Sequence, residues 1–142
     1  MMKLSQLLQN VRVRESNADM EMEISGVSYD SRKTAPGDLF VAMAGYETDG
    51  HKFIPMAREK GAVCVLCQEK PQGEGPYVLV EDSRLALAQV GQNWYGDPAA
   101  SMKMIGVTGT NGKTTTTYLL KDILEQAAGA KVGLIGTNQN MI

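Results

Sequence analysis

The chain has 142 residues, 43% of them hydrophobic, and its 14 Lys and Arg against 16 Asp and Glu leave a net charge of -2. That is room for one full domain and part of another, without the basic field that captures a nucleic-acid backbone, so no nucleic-acid partner is expected. No apolar run approaches the roughly 20 residues of a membrane helix, and the start MMKLSQLLQN lacks the basic region and apolar core of a signal peptide, so no membrane association and a cytoplasmic address are expected.

In chain order, SQLLQN predicts a short helix, followed by a polar stretch and then EISGVSYDSR, an imperfect strand carrying Ile24, Val27 and Tyr29. GDLFVAMAG predicts a clearer strand, entered through the turn residues Pro36, Gly37 and Asp38. DGHKFIPMAREKGA has Phe53, Ile54 and Ala57 at helical spacing, Pro55 in the tolerated first turn and Gly61 where a helix stops. The apolar runs AVCVLC and YVLVE read as buried strands on either side of the loop QEKPQGEG. DSRLALAQVGQNWYGDP predicts a helix capped by Asp82 or Ser83, with Leu87, Val90, Gly91 and Trp94 on one face. GDPAAS then marks a domain boundary, after which strand MKMIGV, a glycine-rich loop, a helix with Leu119, Leu120, Ile123, Leu124 and Ala127, and strand KVGLIGT form a βαβ unit.

The expected fold is therefore α/β: residues 1–100 as one domain with a mixed sheet, and residues 101–142 as the first βαβ unit of a P-loop ATPase domain. Such a unit needs neighbouring strands and helices to bury its faces.

Cys64 and Cys67 form a CxxC pair, but inside a buried strand residues three apart point to opposite faces and cannot converge on one ion. Core cysteines are expected, and the single histidine, His51, is remote in sequence.

GVTGTNGKTTTT, residues 106–117, is the chemically informative stretch. A strand running into glycines and then a helix leaves free backbone N–H groups at the positive end of the helix dipole, where phosphate oxygens fit. In the pattern GxxxxGK[ST] the lysine reaches the terminal phosphates and the next hydroxyl ligates magnesium, the places of Lys113 and Thr114 here. The loop is a variant, because Val107 stands five residues before Gly112 and the other glycines are at 106 and 109. Thr115, Thr116 and Thr117 read as the start of the helix. Phosphoryl transfer also needs an acid near the magnesium, yet Asp122 and Glu125, the only acids after Thr114, lie in the helix. A longer enzyme, of which this chain is the front part, is the expectation.

GVTGTNGKTT resembles the loop of the Mur ligase family, ATP-dependent amide-forming enzymes of peptidoglycan assembly and their folate-ligating relatives. YDSRKTAPGDLFVAMAGYETDGHKFIPMAREKGA and VEDSRLALAQVGQNWYGDPA are similar to the first domain of its MurE branch, from about Ile24 onward. The MurF branch shares the DSR, PGDLFVA and DGH theme, but YGDPA before the loop and GLIGT after the helix look like MurE. The resemblance implies three domains: one for the UDP end of the substrate, a central ATPase and a third that binds the incoming amino acid. It implies that ATP, with Mg2+, phosphorylates the D-glutamate carboxylate of UDP-N-acetylmuramoyl-L-alanyl-D-glutamate and that L-lysine or meso-diaminopimelate then attacks.

By the same resemblance Gly109, Thr110, Asn111, Gly112, Lys113, Thr114 and Thr115 wrap the ATP phosphates, Lys113 acts as the catalytic cation and Thr114 faces the metal. Tyr29, Ser31, Tyr46, Glu47 and Thr48 hold the UDP end. Arg32 fits a structural ion pair, Asp49 and Gly50 a turn, and His51 a structural role. Small-molecule substrates are the implied partners, with no oligomeric state indicated, and the fragment alone is expected to be inactive. A MurF-type ligase adding D-Ala-D-Ala and a non-catalytic nucleotide-binding module are the other readings.

Overall fold

The computed structural model describes residues 1–45, 49–136 and 140–141. Two compact units divide the chain, Met1–Ser101 and Met102–Ile142. In the first, strand β1 (Met2–Lys3) leads into the short helix α1 (Leu4–Leu7). The stretch that the sequence presents as merely polar contains strand β2 (Val13–Ser16), three of whose four residues are exposed. The imperfect strand divides at Ser25 into β3 (Glu23–Ile24), which pairs antiparallel with β1, and β4 (Gly26–Ser28), which joins a different sheet.

Strand β5 (Asp38–Val41) is buried throughout, and the chain then passes through a 3₁₀ turn (Gly50–Phe53) into helix α2 (Ile54–Glu59). Strands β6 (Cys64–Cys67) and β7 (Tyr77–Val80) follow, then helix α3 (Ser83–Trp94) and a 3₁₀ turn at Pro98–Ser101.

The main sheet has the order β2-β7-β6-β5-β4. Strands β4 to β7 run parallel in register and β2 closes the edge antiparallel to β7, so the sheet is mixed, as expected. Parallel strands covered on both faces read as continuous apolar runs, which is why DLFV, CVLC and YVLV carry so little alternation. Leu39, Val41, Cys64, Leu66, Val78 and Val80 pack on one face with Leu4 and Leu7 of α1 and Ala86 and Val90 of α3. Phe40, Ala42, Val65, Cys67, Tyr77 and Leu79 pack on the other with Ile54 and Ala57 of α2. Burial of each large aliphatic or aromatic side chain stabilises the unit by about 1.5–3 kcal/mol.

The two cysteines therefore face opposite layers, both free and buried, and among the described residues no group of three metal-ligating side chains exists. Burial pushes the Cys64 thiol up to about 12 and the Cys67 thiol up to about 11. Asp82 caps α3, its carboxylate accepting the N–H groups of Arg84 and Leu85 at 2.8 and 3.0 Å.

In the second unit helix α4 (Lys113–Ala128) ends at Gly129, which takes φ +60°. Strand β8 (Leu134–Ile135) pairs antiparallel with β9 (Asn140–Met141). The predicted strand over 102–107 does not form, and among the described residues of KVGLIGT only Leu134–Ile135 are strand, so no parallel βαβ pairing is present among the described residues. A strand exists only as a ladder, and the described residues offer 102–107 no neighbour to pair with. Among the described residues no helix is long and apolar enough to cross a membrane.

Candidate functional site

The loop before α4 reaches the helix through two glycines in conformations that side chains disfavour. Gly109 has φ +149° and Gly112, the N-cap residue, has φ +76° and ψ -4°, in the left-handed region. A cap without a side chain leaves the amides of the first turn uncapped, and α4 makes no side-chain cap hydrogen bond. Thr116 N–H donates to the Gly112 carbonyl at 2.9 Å, so the intrahelical ladder starts there and the preceding amides are those an anion would meet.

Residues 108–116 are exposed, and no atom lies within 4 Å of where a Cβ on Gly112 would stand. The Lys113 ammonium curls back over the loop, donating to the Gly109 carbonyl at 2.5 Å and to the Thr110 carbonyl at 3.5 Å. Both acceptors are neutral, so a phosphate would replace them with bonds in which donor and acceptor are both charged.

Thr114 is exposed, its carbonyl accepts the Thr117 hydroxyl at 2.8 Å, and its own hydroxyl makes no hydrogen bond among the described residues. As a metal ligand it offers one neutral oxygen. Asp122 lies eight residues along α4, roughly 12 Å at 1.5 Å per residue, and Glu125 is ion-paired to Lys121. This donor set fits a magnesium ion held mainly through phosphate oxygens, the usual habit of that ion.

In the first unit, the carboxyl ends of β4, β5, β6 and β7 share one edge of the sheet, where ligands of open α/β sheets bind. Tyr29 and Ser31 follow β4 on that edge. Tyr29 is 64% exposed, whereas Ser31 is buried and donates its hydroxyl to Met56 Sδ of α2 at 3.4 Å. The turn between them is set by Asp30, which accepts the Arg32 backbone N–H at 3.0 Å and its guanidinium at 2.9 and 2.8 Å. The Arg32 guanidinium holds the Asp30 carboxyl down at about 2. Arg32 is thus the ion-pair residue its position suggested. Tyr46, Glu47 and Thr48 lie outside the described residues.

Polar residues beyond β5, β6 and β7 also converge there, a convergence the sequence does not show. His51 Nδ1 lies 2.6 Å from Asp49 Oδ1, and its Nε2 accepts the N–H of Gln68 at 3.0 Å and of Glu69 at 3.4 Å. The His51 backbone N–H, 3.0 Å from Asp49 Oδ1, and the His51 ring hold the Asp49 carboxyl below the usual range. Gln68 Oε1 accepts the Ser83 hydroxyl at 2.8 Å and Gln68 Nε2 donates to the Glu81 carbonyl at 3.2 Å. Arg84 donates to the Ala44 carbonyl at 3.3 Å.

Comparison with known proteins gives the family. Residues 23–95 match the Mur ligase family, catalytic domain, and residues 107–142 match the Mur ligase middle domain. The UDP-N-acetylmuramoyl-L-alanyl-D-glutamate–2,6-diaminopimelate ligase of Clostridium tetani is 46% identical over 99% of this chain and 30% of its own length. The enzyme of the same name from Caldanaerobacter subterraneus is 47% identical, over 99% of this chain and 29% of its own length. Among solved structures, one of a ligase of that name superposes on 99% of this chain and 28% of its own with a TM-score of 0.75 at 24% identity, a likeness of fold. The MurF ligase of Thermotoga maritima in complex with ADP covers 74% of this chain and 24% of its own, with a TM-score of 0.54 and 32% identity. This chain thus spans about 30% of the length of the curated relatives it matches. With one family model covering half its residues and a second covering residues 107–142, the chain belongs to the Mur ligase family.

Proposed function

We propose that this chain supplies the first part of an ATP-dependent ligase that joins a diamino acid to the D-glutamate of UDP-N-acetylmuramoyl-L-alanyl-D-glutamate. The observation that carries the reading is identity of 46–47% across 99% of the chain to curated ligases named for 2,6-diaminopimelate. Their name favours 2,6-diaminopimelate over L-lysine as the acceptor. In this reading residues 1–100 hold the UDP end and residues 101–142 begin the ATP-binding domain, in the cytoplasm, where both nucleotides are dissolved.

The open first turn of α4 supports a triphosphate cradle. Amides near Gly109, Thr110, Asn111 and Gly112 and those of Lys113, Thr114 and Thr115 would donate to phosphate oxygens, as the helix dipole favours. The Lys113 ammonium would leave the Gly109 carbonyl to neutralise charge between the β and γ phosphates, an electrostatic role. The Thr114 hydroxyl would face a magnesium ion, whose chemistry there is to screen the phosphate oxygens. Phosphorylated by ATP, the D-glutamate carboxylate becomes an acyl phosphate with ADP as the leaving group. The acceptor amine then forms the amide bond, releasing phosphate and a proton.

At the sheet edge, Tyr29 is exposed enough to pack on a uracil ring, and Ser31 holds its hydroxyl on a weak sulfur acceptor that a diphosphate oxygen would outcompete. Tyr46, Glu47 and Thr48 would complete that site.

Calorimetry of the chain with UDP-N-acetylmuramoyl-L-alanyl-D-glutamate tests the assignment. Binding that weakens in Ser31→Ala is the expected result, and no heat at millimolar ligand would overturn the UDP site.

A further inference from the structure

We infer that His51 is a positioning residue, which locks the stem of the loop after β5 to the ends of β6 and β7. The inference deepens the UDP-site reading above and depends on it for the identity of the ligand. The pattern of donors fixes the ring's protonation. Backbone N–H groups only donate, so Nε2, facing the amides of Gln68 and Glu69, is the acceptor and bears no proton. The remaining proton is on Nδ1, donated to the Asp49 carboxylate. With both nitrogens engaged and the ring side chain only 13% exposed, no lone pair is left for a substrate.

What the ring joins gives its purpose. Asp49 forms a β-bridge with Ala44, and Gly50 N–H donates to the Met43 carbonyl at 2.8 Å, so the two sides of the stem are tied just beyond β5. The two segments approach closely there: a Cβ on Gly50 would stand 2.5 Å from the Met43 carbonyl oxygen. His51 carries that stem to Gln68, which holds Ser83 and Glu81, and Arg84 reaches back to Ala44. Three successive strand exits are sewn together by side chains that fill one another's hydrogen-bonding capacity. A site built beside a fixed stem binds without first ordering it.

Three measurements on the 142-residue chain test this. Nitrogen-15 spectra of the imidazole should report the Nδ1–H tautomer, and an Nε2–H tautomer overturns the proposal. In His51→Phe, amide exchange at Gly50 and Gln68 should accelerate about tenfold or more while Val65 and Val78 keep their protection. His51→Gln, which restores an acceptor near Gln68, should recover part of the protection there. Unchanged exchange at Gly50, or equal acceleration throughout the sheet, overturns the positioning role. If His51→Phe does not fold, the wild-type tautomer and the His51→Gln exchange decide.

UDP affinity should fall about tenfold in His51→Phe, and an unchanged affinity with an opened stem removes the link to the site. A wild-type chain that binds no UDP at millimolar concentration overturns the ligand reading instead, and the tautomer and exchange data then judge the lock alone.

Discussion

Replacing Gly112 by alanine isolates one physical requirement of the proposed phosphate loop. The residue holds φ +76° and ψ -4°, and a Cβ there would meet nothing within 4 Å. Steric collision is absent, so the cost is that of a left-handed conformation for a side-chain-bearing residue, about 1–2 kcal/mol. Since 1.4 kcal/mol is a factor of ten, the fraction of molecules with a correctly turned loop should drop by about 5- to 30-fold, and the apparent nucleotide affinity with it. Asparagine tolerates this region better than alanine, so Gly112→Asn should fall between. Gly106 provides the control: it has no positive φ and equally open surroundings, and Gly106→Ala should change affinity by less than about twofold. The assay is titration with ATP in magnesium buffer, followed at the amide resonances of residues 106–117. Wild-type affinity in Gly112→Ala, or equal losses at 106 and 112, would refute the claim that the left-handed turn presents the amides.

Other predictions test the first unit. Asp82→Ala removes a cap that serves two amides, and should cost about 1 kcal/mol, or roughly 4–8 °C in Tm for a unit of this size, by thermal denaturation. Gly50→Ala should destabilise by about 1–3 kcal/mol in urea, because the new methyl group meets backbone atoms of Met43 at 2.5 and 2.8 Å that cannot rotate away. The Asp30 carboxyl, lowered to about 2, should stay ionised as pH falls through the ordinary carboxylate range. A depressed folded-state value stabilises above the unfolded pKa and is lost as pH falls through about 2, so carbon-13 titration of Asp30 should show its midpoint there. Cys64 and Cys67, with thiols raised to about 12 and 11, should resist iodoacetamide at pH 8 until urea unfolds the chain, and rapid labelling of the native protein would contradict their burial.

The core strands were legible because their chemistry is local. DLFV, CVLC and YVLV are short apolar runs bounded by turn residues, and burial on both faces of a parallel sheet demands that composition. The cap of α3 and the glycine turn into α4 were legible for the same reason, each being a fixed spacing with a local hydrogen-bonding consequence. Strand β2 was not, since an edge strand exposes polar side chains and Val-Arg-Glu-Ser looks like a loop. EISGVS hid a change of sheet at Ser25, whose N–H bonds the distant Gly37 carbonyl at 2.9 Å. The lock around His51 was illegible because its partners, Asp49, Gln68, Glu69, Ser83 and Glu81, converge only when three parallel strands end together. The expected strand over 102–107 failed for the opposite reason: a good local pattern does not make a ladder without a partner.

The most direct measurement is product analysis with a protein of full family length carrying this chain, given ATP, magnesium and UDP-N-acetylmuramoyl-L-alanyl-D-glutamate. ADP release and amide formation should appear with meso-diaminopimelate, fall by orders of magnitude in Lys113→Ala, and be absent with D-Ala-D-Ala. Turnover with D-Ala-D-Ala in place of the diamino acid, or undiminished turnover in Lys113→Ala, would contradict the account.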